Sequence, residues 1–363
     1  MPESSPRAPA AREAWRWLVI GAAVVVLAGG FAYVGGFLSP QRLTAQRMVD
    51  QLQYDGGLHP GYRRNHAKGI CVVGHFDSNG AAAIYSTAGL FAKGSTPVIG
   101  RLALPGGDPA APDSGTPIRS LALLFNMADG QQWRTGMLNV PVFLVSTPES
   151  FYAQTVAAAP DPVTHQPDPA KLGAFFAAHP ETGPLLTVLK AAKPSASYVT
   201  ESYFGLNAFY FVDATGQRHP VRWHVAPSTP EDAAIAPSDA GNDYLDADLQ
   251  RRLAQGPVRW DLLVTLGAPG DPTNDAAKAW PADRTTINAG TVVIESAQPG
   301  ESGPCRDITY DPTVLPHGIE VSDDPLLAAR ASAYSNSYRR RTSEEAGIPG
   351  SAQVHDKKME GTR

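Results

Sequence analysis

The stretch from Trp17 to Leu38 carries no charged residue, and it restricts the fold more than any other part of the sequence. A hydrocarbon layer of about 30 Å is crossed by about 20 apolar residues in a helix, so this stretch is long enough to span a membrane. Arg7, Arg12 and Arg16 precede it, which predicts a cytoplasmic N-terminus. A cleaved signal peptide is the alternative, but its apolar part is normally shorter and is followed by a clear cleavage site.

The remainder of the chain is expected to lie outside the cytoplasm. We predict a cytoplasmic segment over residues 1–16, a single-pass transmembrane anchor over 17–38, one large domain over 39–342 and a mobile tail over 343–363. In a bacterium this places the anchor in the inner (cytoplasmic) membrane and the large domain in the periplasm or at the cell exterior. No strong linker divides residues 39–342, so we treat them as one domain.

Composition indicates a turn-rich globular domain after the anchor. The 363 residues include 34 Gly and 33 Pro, above the ordinary share but below that of disordered chains. Hydrophobic residues make up 43%, enough for a large core. The net charge of −5 gives no indication of a nucleic-acid partner. Many short elements joined by Pro and Gly favour strands over a helix bundle.

Short β-type runs separated by turn signals dominate residues 69–212. They are ICVVGHF, AAAIYS, TPVIGRLAL, SLALLFNM, VPVFLVS and LNAFYFV. A hairpin is predicted around Thr215-Gly216, and further strands near residues 260–265 and 291–294. Helical patterns are predicted from Ser39-Pro40 to Gly56-Gly57, near residues 148–159, 169–178, 182–192 and 243–255, and from Ser322 to about Thr342.

Several common catalytic motifs are absent from the sequence. It contains no G-x-x-x-x-G-K-[ST], no H-E-x-x-H and no G-x-S-x-G. Cys71 and Cys305 are the only cysteines and have no C-x-x-C partner, which argues against a redox motif or a zinc site. In an oxidising compartment they could form one bridge or remain two separate buried thiols, and the sequence alone leaves both open.

The last predicted helix carries an unusual set of side chains on one face. Arg330, Tyr334, Ser337 and Arg341 follow one another at intervals of four, three and four residues, so they share a narrow wedge at 3.6 residues per turn. A guanidinium that donates to a phenolate stabilises the charged form. A phenolate is a hard anionic donor suited to ferric iron. On this segment alone, an exposed basic helix end with a partly buried tyrosine is the simpler interpretation.

Several ordered blocks resemble the haem catalases. LPHGIEVSDDPLLAARASAY resembles the approach to their proximal haem ligand, P-x-G-I-E followed by R-x-x-x-Y, and RRNHAKGICVVGHF is similar to the R-x-x-H-A-x-G-x-x-x-x-G-x-F block that carries the distal histidine. PVIGRLALPGG, RSLALLFNMADGQQW, VPVFLVSTPESF and the hairpin at residues 205–224 match in the family's order. The resemblance covers about residues 39–342 and lacks the C-terminal helical domain of full-length catalases, as in the smaller catalase-related peroxidases.

This resemblance implies an α+β fold: a closed antiparallel β-barrel of about eight strands with surrounding helices, in addition to the N-terminal transmembrane helix. It implies a haem b cofactor with Tyr334 as the axial iron ligand and with Arg330 holding the phenolate ionised. His66 matches the distal histidine, the general base toward bound peroxide. The resemblance further assigns haem binding to three propionate arginines and one aromatic residue over the porphyrin, namely Arg63, Arg101, Arg341 and Phe151.

Two departures from the family pattern concern the distal side. Leu138 stands where catalases carry an asparagine, with Asn139 beside it, and Ala103 replaces the serine that polarises the distal histidine. The tract 337–341 also lacks the family's histidine-rich run. The loss of the distal asparagine and of the serine weakens the means of orienting a second peroxide as a reductant. We therefore expect a peroxidase that reduces hydrogen peroxide or organic peroxides with a small organic donor, and that dismutates peroxide slowly.

Two alternatives keep the fold without its chemistry. A haem-free barrel could act as an extracytoplasmic binding or interaction module, and a structural cell-surface protein is a further option. The lost asparagine and serine favour the first slightly, whereas the retained tyrosine and arginines argue against both. The resemblance places Cys71 and Cys305 on the first and last barrel strands, which are neighbours, so a bridge between them is possible. The electron donor stays open, and a homo-oligomer is allowed.

Overall fold

The computed structural model of the protein describes residues 10–34, 42–164, 166–228 and 241–347. Its first element is helix α1, Ala10–Val34, whose apolar part has no residue buried against the rest of the protein. By length and composition this helix can cross a membrane, although a signal sequence near an N-terminus has the same properties. The helix thus begins before Trp17, and residues 35–38 of the predicted anchor lie outside the described residues.

A closed antiparallel barrel follows, which confirms the predicted fold class. The described residues contain nine strands: β1 Gly69–Ser78, β2 Gly94–Ala103, β3 Ser120–Asn126, β4 Gln132–Leu138, β5 Tyr203–Val212, β6 Arg218–Pro227, β7 Val258–Leu266, β8 Thr286–Pro299 and β9 Ile319–Val321. Two four-stranded meanders, β1–β4 and β5–β8, are joined by the β1–β8 and β4–β5 pairings. The ninth strand pairs with β5 beside this circuit.

Alternation along the strands separates a packed interior from an outer face. In β3, Leu121, Leu123 and Phe125 belong to the main core, which contains residues of all eight barrel strands. Trp133 of β4 stacks on Phe125 with 4.8 Å between ring centroids, so large aromatic rings fill this interior. Because successive residues point to opposite faces of a strand, Ser120 and Ala122 are left on the outer face. A ligand must therefore bind outside the barrel interior.

Helices cover part of that outer face. The described residues after α1 contain α2 Ala45–Gly56, α3 Pro148–Ala158, α4 Pro169–Ala178, α5 Gly183–Ala191, α6 Tyr244–Leu253 and α7 Pro325–Gly347. Side-chain caps fix several of the starts. At α2 and α3, for example, the hydroxyls of Thr44 and Thr147 accept from the backbone N–H groups of Arg47 and Ser150. The helix predicted from Ser39-Pro40 therefore begins later, at Ala45. Helices α2, α3 and α7 pack against one another.

The predicted strand AAAIYS is wrong. Residues Ala81–Ile84 form a 3₁₀ turn instead. The turn is set by Gly80, whose φ of 87° turns the chain after β1, and by the Asn79 side chain, which accepts from the backbone N–H of Ala81 at 2.8 Å. Alanines add little strand preference of their own, so this local turn decides the conformation.

The predicted strand VPVFLVS is also wrong, since residues 140–146 contain no strand. Pro141 cannot donate to a strand ladder. The strand in this region is β4, which follows a tight turn at Asp129-Gly130, where the N–H of Met127 bonds to the carbonyl of Gln131 at 3.0 Å. No strand was predicted at the mixed polar sequence QWRTGML.

The last helix is longer than predicted. It runs to Gly347, past Thr342, where the mobile tail was expected to begin. Glu344 pairs with Arg64 and Glu345 with Arg306, so two acidic residues of the expected tail tie the helix end to the domain. Residues 348–363 of that tail lie outside the described residues.

Cys71 and Cys305 are joined in a disulfide with 5.3 Å between their Cα atoms. Cys71 lies on β1, as the resemblance implied. Cys305 does not lie on the last barrel strand: β8 ends at Pro299, and the cysteine belongs to the turn-rich segment that follows. The bridge therefore fastens this segment to the barrel.

Candidate functional site

A cavity of about 1070 Å³ lies between the outer face of β2–β4 and the helices α2, α3, α5 and α7. Its walls are mostly apolar, with Phe143, Phe151 and Leu186 among the lining side chains. The structure brings every residue that the sequence analysis assigned to a site to this one cavity, namely Arg63, His66, Arg101, Phe151, Arg330, Tyr334 and Arg341. The ring of Phe151 lies 5.7 Å from that of Phe143.

Tyr334 on α7 is contacted by a guanidinium from the preceding turn. Nη2 and Nε of Arg330 lie 3.1 and 3.4 Å from the phenolic oxygen of Tyr334. Nη1 of Arg330 donates to Oδ1 of Asn207 at 2.6 Å, and the Asn207 amide donates to the carboxylate of Asp324 at 2.8 Å. The guanidinium is thus held between an amide on β5 and the phenolic oxygen that faces the cavity.

Asp324 completes this chain and also starts the helix. Its Oδ1 accepts from the backbone N–H of Leu326 at 2.9 Å, at the beginning of α7. Burial raises the pKa of Asp324, and the hydrogen bond from Asn207 opposes that rise. Neither Asp324 nor Asn207 was among the site residues predicted from the sequence. The available signal was a single amide within the apolar run LNAFYFV.

His66 has a strained backbone that several contacts hold in place. With φ of 57°, it is the only non-glycine residue of positive φ in the described ranges. The Asn65 side chain accepts from the N–H groups of His66 and Gly106, at 2.9 and 2.7 Å. Nη1 of Arg101 donates to the His66 carbonyl at 2.8 Å. These contacts fix where the imidazole enters the cavity.

The side chain of His66 has a serine partner, so the expectation that Ala103 leaves it without one is wrong. Ser120 lies opposite Ala103 in the β2–β3 pair, and its Oγ is 3.1 Å from Nδ1 of His66. The same hydroxyl donates its only proton to the Ala103 carbonyl at 3.1 Å. It must then accept from Nδ1–H, which leaves Nε2 unprotonated. The serine thus comes from β3 and not from β2, and the sequence could not reveal this without the register of the two strands.

Burial of the imidazole, together with nearby positive charge, keeps His66 neutral. Burial is the largest cause, and the nearby charges of Arg101 and Arg330 add to it, so that the pKa of His66 falls to about 3. A neutral imidazole with a free Nε2 can act as a proton acceptor over the whole physiological range of pH.

Arg63, Arg101 and Arg341 lie together at one end of the cavity. Nη2 of Arg63 donates to three carbonyls of residues 305–308, and Arg101 donates to the carbonyls of His66 and Ala67. Among the described residues, neither Arg63 nor Arg101 pairs with a carboxylate. Burial lowers the pKa of Arg101 to about 10 and also lowers that of Arg63, where the neighbouring arginines contribute. Nε of Arg101 is buried without a partner.

Neither Leu138 nor Asn139 takes the place of the asparagine that catalases carry. Leu138 packs against the apolar residues Leu206, Phe143 and Phe204 at the cavity wall. The Asn139 amide bonds instead to the Pro117 carbonyl and to the carboxylate of Glu201, at 3.0 and 3.1 Å. The polar groups close to His66 are therefore supplied by Ser120 and by backbone.

These residues fit a haem. Apolar walls suit a porphyrin, a phenolic oxygen is available to an iron, and guanidiniums without a carboxylate partner, Arg63 and Arg101, suit the carboxylates of propionates. Within the described ranges, no group of three or more His, Cys, Asp or Glu side chains could hold a bare metal ion.

Comparison with known proteins gives a consistent picture. The family model described as Catalase matches residues 49–350. A catalase-related peroxidase of Synechococcus elongatus is 39% identical over 336 residues, covering 91% of this chain and 98% of that protein. A catalase-related peroxidase of Mycolicibacterium paratuberculosis is 32% identical, covering 84% of this chain and 97% of that protein.

Full-length catalases are also similar, but this chain spans less than two thirds of them. The catalase of Latilactobacillus sakei is 27% identical, with 76% of this chain and 61% of that protein covered. The crystal structure of a fungal catalase superposes with a TM-score of 0.69 at 19% identity, over 81% of this chain and 62% of that one. A bacterial catalase structure gives 0.68 at 22% identity, over 83% and 61%.

The hydrogen bonding of His66 predicts its tautomer. In ¹⁵N spectra of protein labelled at histidine, we expect Nδ1 of His66 to carry the proton and the ring to stay neutral from pH 8 down to about pH 5, since its pKa is lowered to about 3. In Ser120→Ala the preference for Nδ1–H should weaken, because the acceptor is gone. Ser302→Ala, outside the cavity, is the control. A His66 ring that protonates near pH 6.5, the ordinary value, would contradict this assignment.

Proposed function

Because the chain belongs to the catalase family, we propose that it is a haem-dependent peroxidase that reduces hydrogen peroxide or organic peroxides and oxidises a small organic donor. It is thus an oxidoreductase that acts on peroxide. The single observation that carries the proposal is that Tyr334, contacted by Arg330, and neutral His66 line the same cavity. One group offers an anionic ligand and the other a free base, as the two sides of a peroxide-reducing haem require.

In this proposal the cofactor is haem b, and residues of this chain hold it. Tyr334 would ligate the iron through its phenolic oxygen, and Arg330 would stabilise that phenolate with two donors. Arg63, Arg101 and Arg341 bind the propionates through planar N–H forks, and Phe151 packs against the porphyrin. When bound, haem supplies the iron that accepts the oxidising equivalents of peroxide.

His66 moves the proton in the peroxide step. Its Nε2 takes a proton from the peroxide and returns it to the departing oxygen, which then leaves as water. Ser120 keeps the other nitrogen protonated and so keeps Nε2 available. Neutrality of the ring follows from its lowered pKa, about 3, so protonation removes the base only in strong acid.

Dismutation of hydrogen peroxide is proposed to be weak. One basis for this expectation has gone, because Ser120 supplies the hydroxyl that Ala103 lacks. The other basis stands: Leu138 is apolar, and the Asn139 amide is engaged elsewhere. A second peroxide therefore finds no amide at position 138 to orient it as a reductant. A haem-free binding module is not favoured, since buried guanidiniums without carboxylates would be left facing an empty cavity.

We also propose that residues 17–38 anchor the protein in the cytoplasmic membrane, with the catalytic domain from residue 39 on the periplasmic or outer side. An exposed apolar helix and a disulfide in the domain support this. The expected result is a protein that resists carbonate extraction from membranes, retains its N-terminus in mass analysis and is digested by protease added to spheroplasts. A mature chain that starts after residue 38 would identify the segment as a cleaved signal.

Replacing the proposed iron ligand should remove the characteristic spectrum. We expect the purified wild type with haem to show a ferric high-spin Soret band. In Tyr334→Phe this band should shift or disappear. The variant should also bind haem at least about tenfold more weakly, which corresponds to a loss of about 1.4 kcal/mol or more in binding free energy. Tyr210→Phe on β5, outside the cavity, is the matched control. An unchanged spectrum in Tyr334→Phe would remove tyrosinate ligation, and a wild type that takes up no haem would remove the proposed function.

The balance between donor oxidation and oxygen release tests the weak-dismutation proposal. With a phenolic donor present, we expect the wild type to consume peroxide mainly through donor oxidation and to release little oxygen. Leu138→Asn should raise oxygen release relative to donor oxidation, since it restores an amide beside His66, whereas Leu144→Asn elsewhere on the wall should not. A wild type that releases oxygen as fast as full-length catalases would contradict the peroxidase assignment.

A further inference from the structure

The disulfide lies next to the arginine end of the cavity. Cys71 and Cys305 are both fully buried, and the backbone N–H of Cys305 also donates to the sulfur of Cys71 at 3.1 Å. Residues 300–308, here called the carbonyl segment, run from the end of β8 through this bridge. Ile308, near the end of the segment, packs on the small core cluster that contains both cysteines.

The carbonyl segment holds the arginines through its backbone. Nη2 of Arg63 lies 3.1, 3.2 and 2.8 Å from the carbonyl oxygens of Cys305, Arg306 and Ile308. Nη1 of Arg341 donates to the Arg306 carbonyl at 2.7 Å. Within the part of the chain that the structure describes, the three bonds to the carbonyls of Cys305, Arg306 and Ile308 are the only hydrogen bonds of the Arg63 guanidinium. The orientation of Arg63 is therefore set by where this backbone lies.

The segment has no regular structure of its own to hold those carbonyls in place. It is a series of tight turns, with Gly303 N–H bonded to the Pro299 carbonyl at 2.8 Å and Ile308 N–H to the Cys305 carbonyl at 3.2 Å. Gly303 passes so close to the bridge that a Cβ there would lie 2.8 Å from Cys71 Sγ. The covalent bond at Cys305 thus fixes the turns directly beside the carbonyls that Arg63 uses.

Electrostatics make this support necessary. Arg63 is partly buried beside Arg101 and Arg341, and both desolvation and these like charges lower its pKa. A guanidinium in such a place is stabilised only if acceptors are held against it. A second cavity of about 130 Å³, lined by Tyr62, Glu301 and Arg306 among others, adjoins these arginines. If the carbonyls move, Arg63 can turn toward this space.

We propose that the Cys71–Cys305 disulfide is a positioning element of the cofactor site: it fixes the carbonyl segment, which orients Arg63 and Arg341 toward the carboxylates of the cofactor. This proposal rests on the haem function proposed above. The disulfide acts through the arginines and touches neither cofactor nor peroxide. Its loss weakens the binding of the propionates specifically.

The test compares two porphyrins that differ only in their carboxylates. Apo wild type and Cys71→Ser/Cys305→Ser are titrated with haem and with haem dimethyl ester, in which both propionates are blocked. We expect the wild type to bind haem more tightly than the ester. The double variant should lose about tenfold or more in haem affinity, which corresponds to one or two charge-assisted contacts, while its affinity for the ester stays unchanged. Cys71→Val/Cys305→Ala, which refills the buried volume, is the second variant should the first not fold.

Two controls separate positioning from general stability. Val292→Ala in the barrel core lowers the melting temperature with the disulfide intact, and it should not change the haem-to-ester preference. Arg63→Ala should reproduce the loss of preference, and removing the disulfide from Arg63→Ala should add little, because the two changes act on one contact. Full additivity of the two changes overturns the proposal.

The remaining outcomes are distinct. A folded cysteine variant with wild-type haem affinity overturns the positioning role and leaves the haem function intact. An equal loss for haem and ester, parallel to that of Val292→Ala, shows a purely structural disulfide and overturns it as well. A wild type that binds neither porphyrin overturns the proposed function itself.

Discussion

Buried positive charge around one cavity is the constraint on which the rest of this structure depends. Arg101 and Arg341 are only 5% and 3% exposed and Arg63 is partly buried, and in the described residues no carboxylate pairs with Arg63 or Arg101. Taking a guanidinium out of water is costly unless acceptors surround it. The fold supplies backbone carbonyls from the loop before β1 and from the turns after β8. The Nε–H of Arg101 has no hydrogen-bond partner among the described residues.

The same charges determine the chemistry on both sides of the cavity. Arg101 and Arg330 contribute to the low pKa of His66, so the ring is a base and not a fixed cation. Arg330, held by Asn207, directs its other donors at the phenolic oxygen of Tyr334. One set of guanidiniums therefore contacts the proposed iron ligand, contributes to the lowered pKa of the proposed base and forms the end of the cavity proposed to bind carboxylates. In the proposed function these are the three things that a haem peroxidase needs.

The sequence predicted the barrel and a set of site residues that the structure places in one cavity, because the order of the motifs along the chain indicates the fold. The sequence-based predictions failed where contacts between residues far apart in the chain determine the structure. Ser120 replaces the family's serine from the neighbouring strand, which only the pairing of Ala103 with Ser120 reveals. Asn207 looked like one polar residue in an apolar strand. The run 81–86 has a strand-like composition, but an asparagine–glycine turn folds it into a 3₁₀ turn. Local patterns predict elements, whereas register and turn geometry are tertiary properties.

The most direct test of this account is a crystal structure of the protein reconstituted with haem, with anomalous data collected at the iron edge. The account predicts a single iron peak at bonding distance from the phenolic oxygen of Tyr334, with His66 on the opposite face of the porphyrin and the propionates on Arg63, Arg101 and Arg341. An iron peak away from Tyr334, or a cavity without iron in protein that has been saturated with haem, would contradict it.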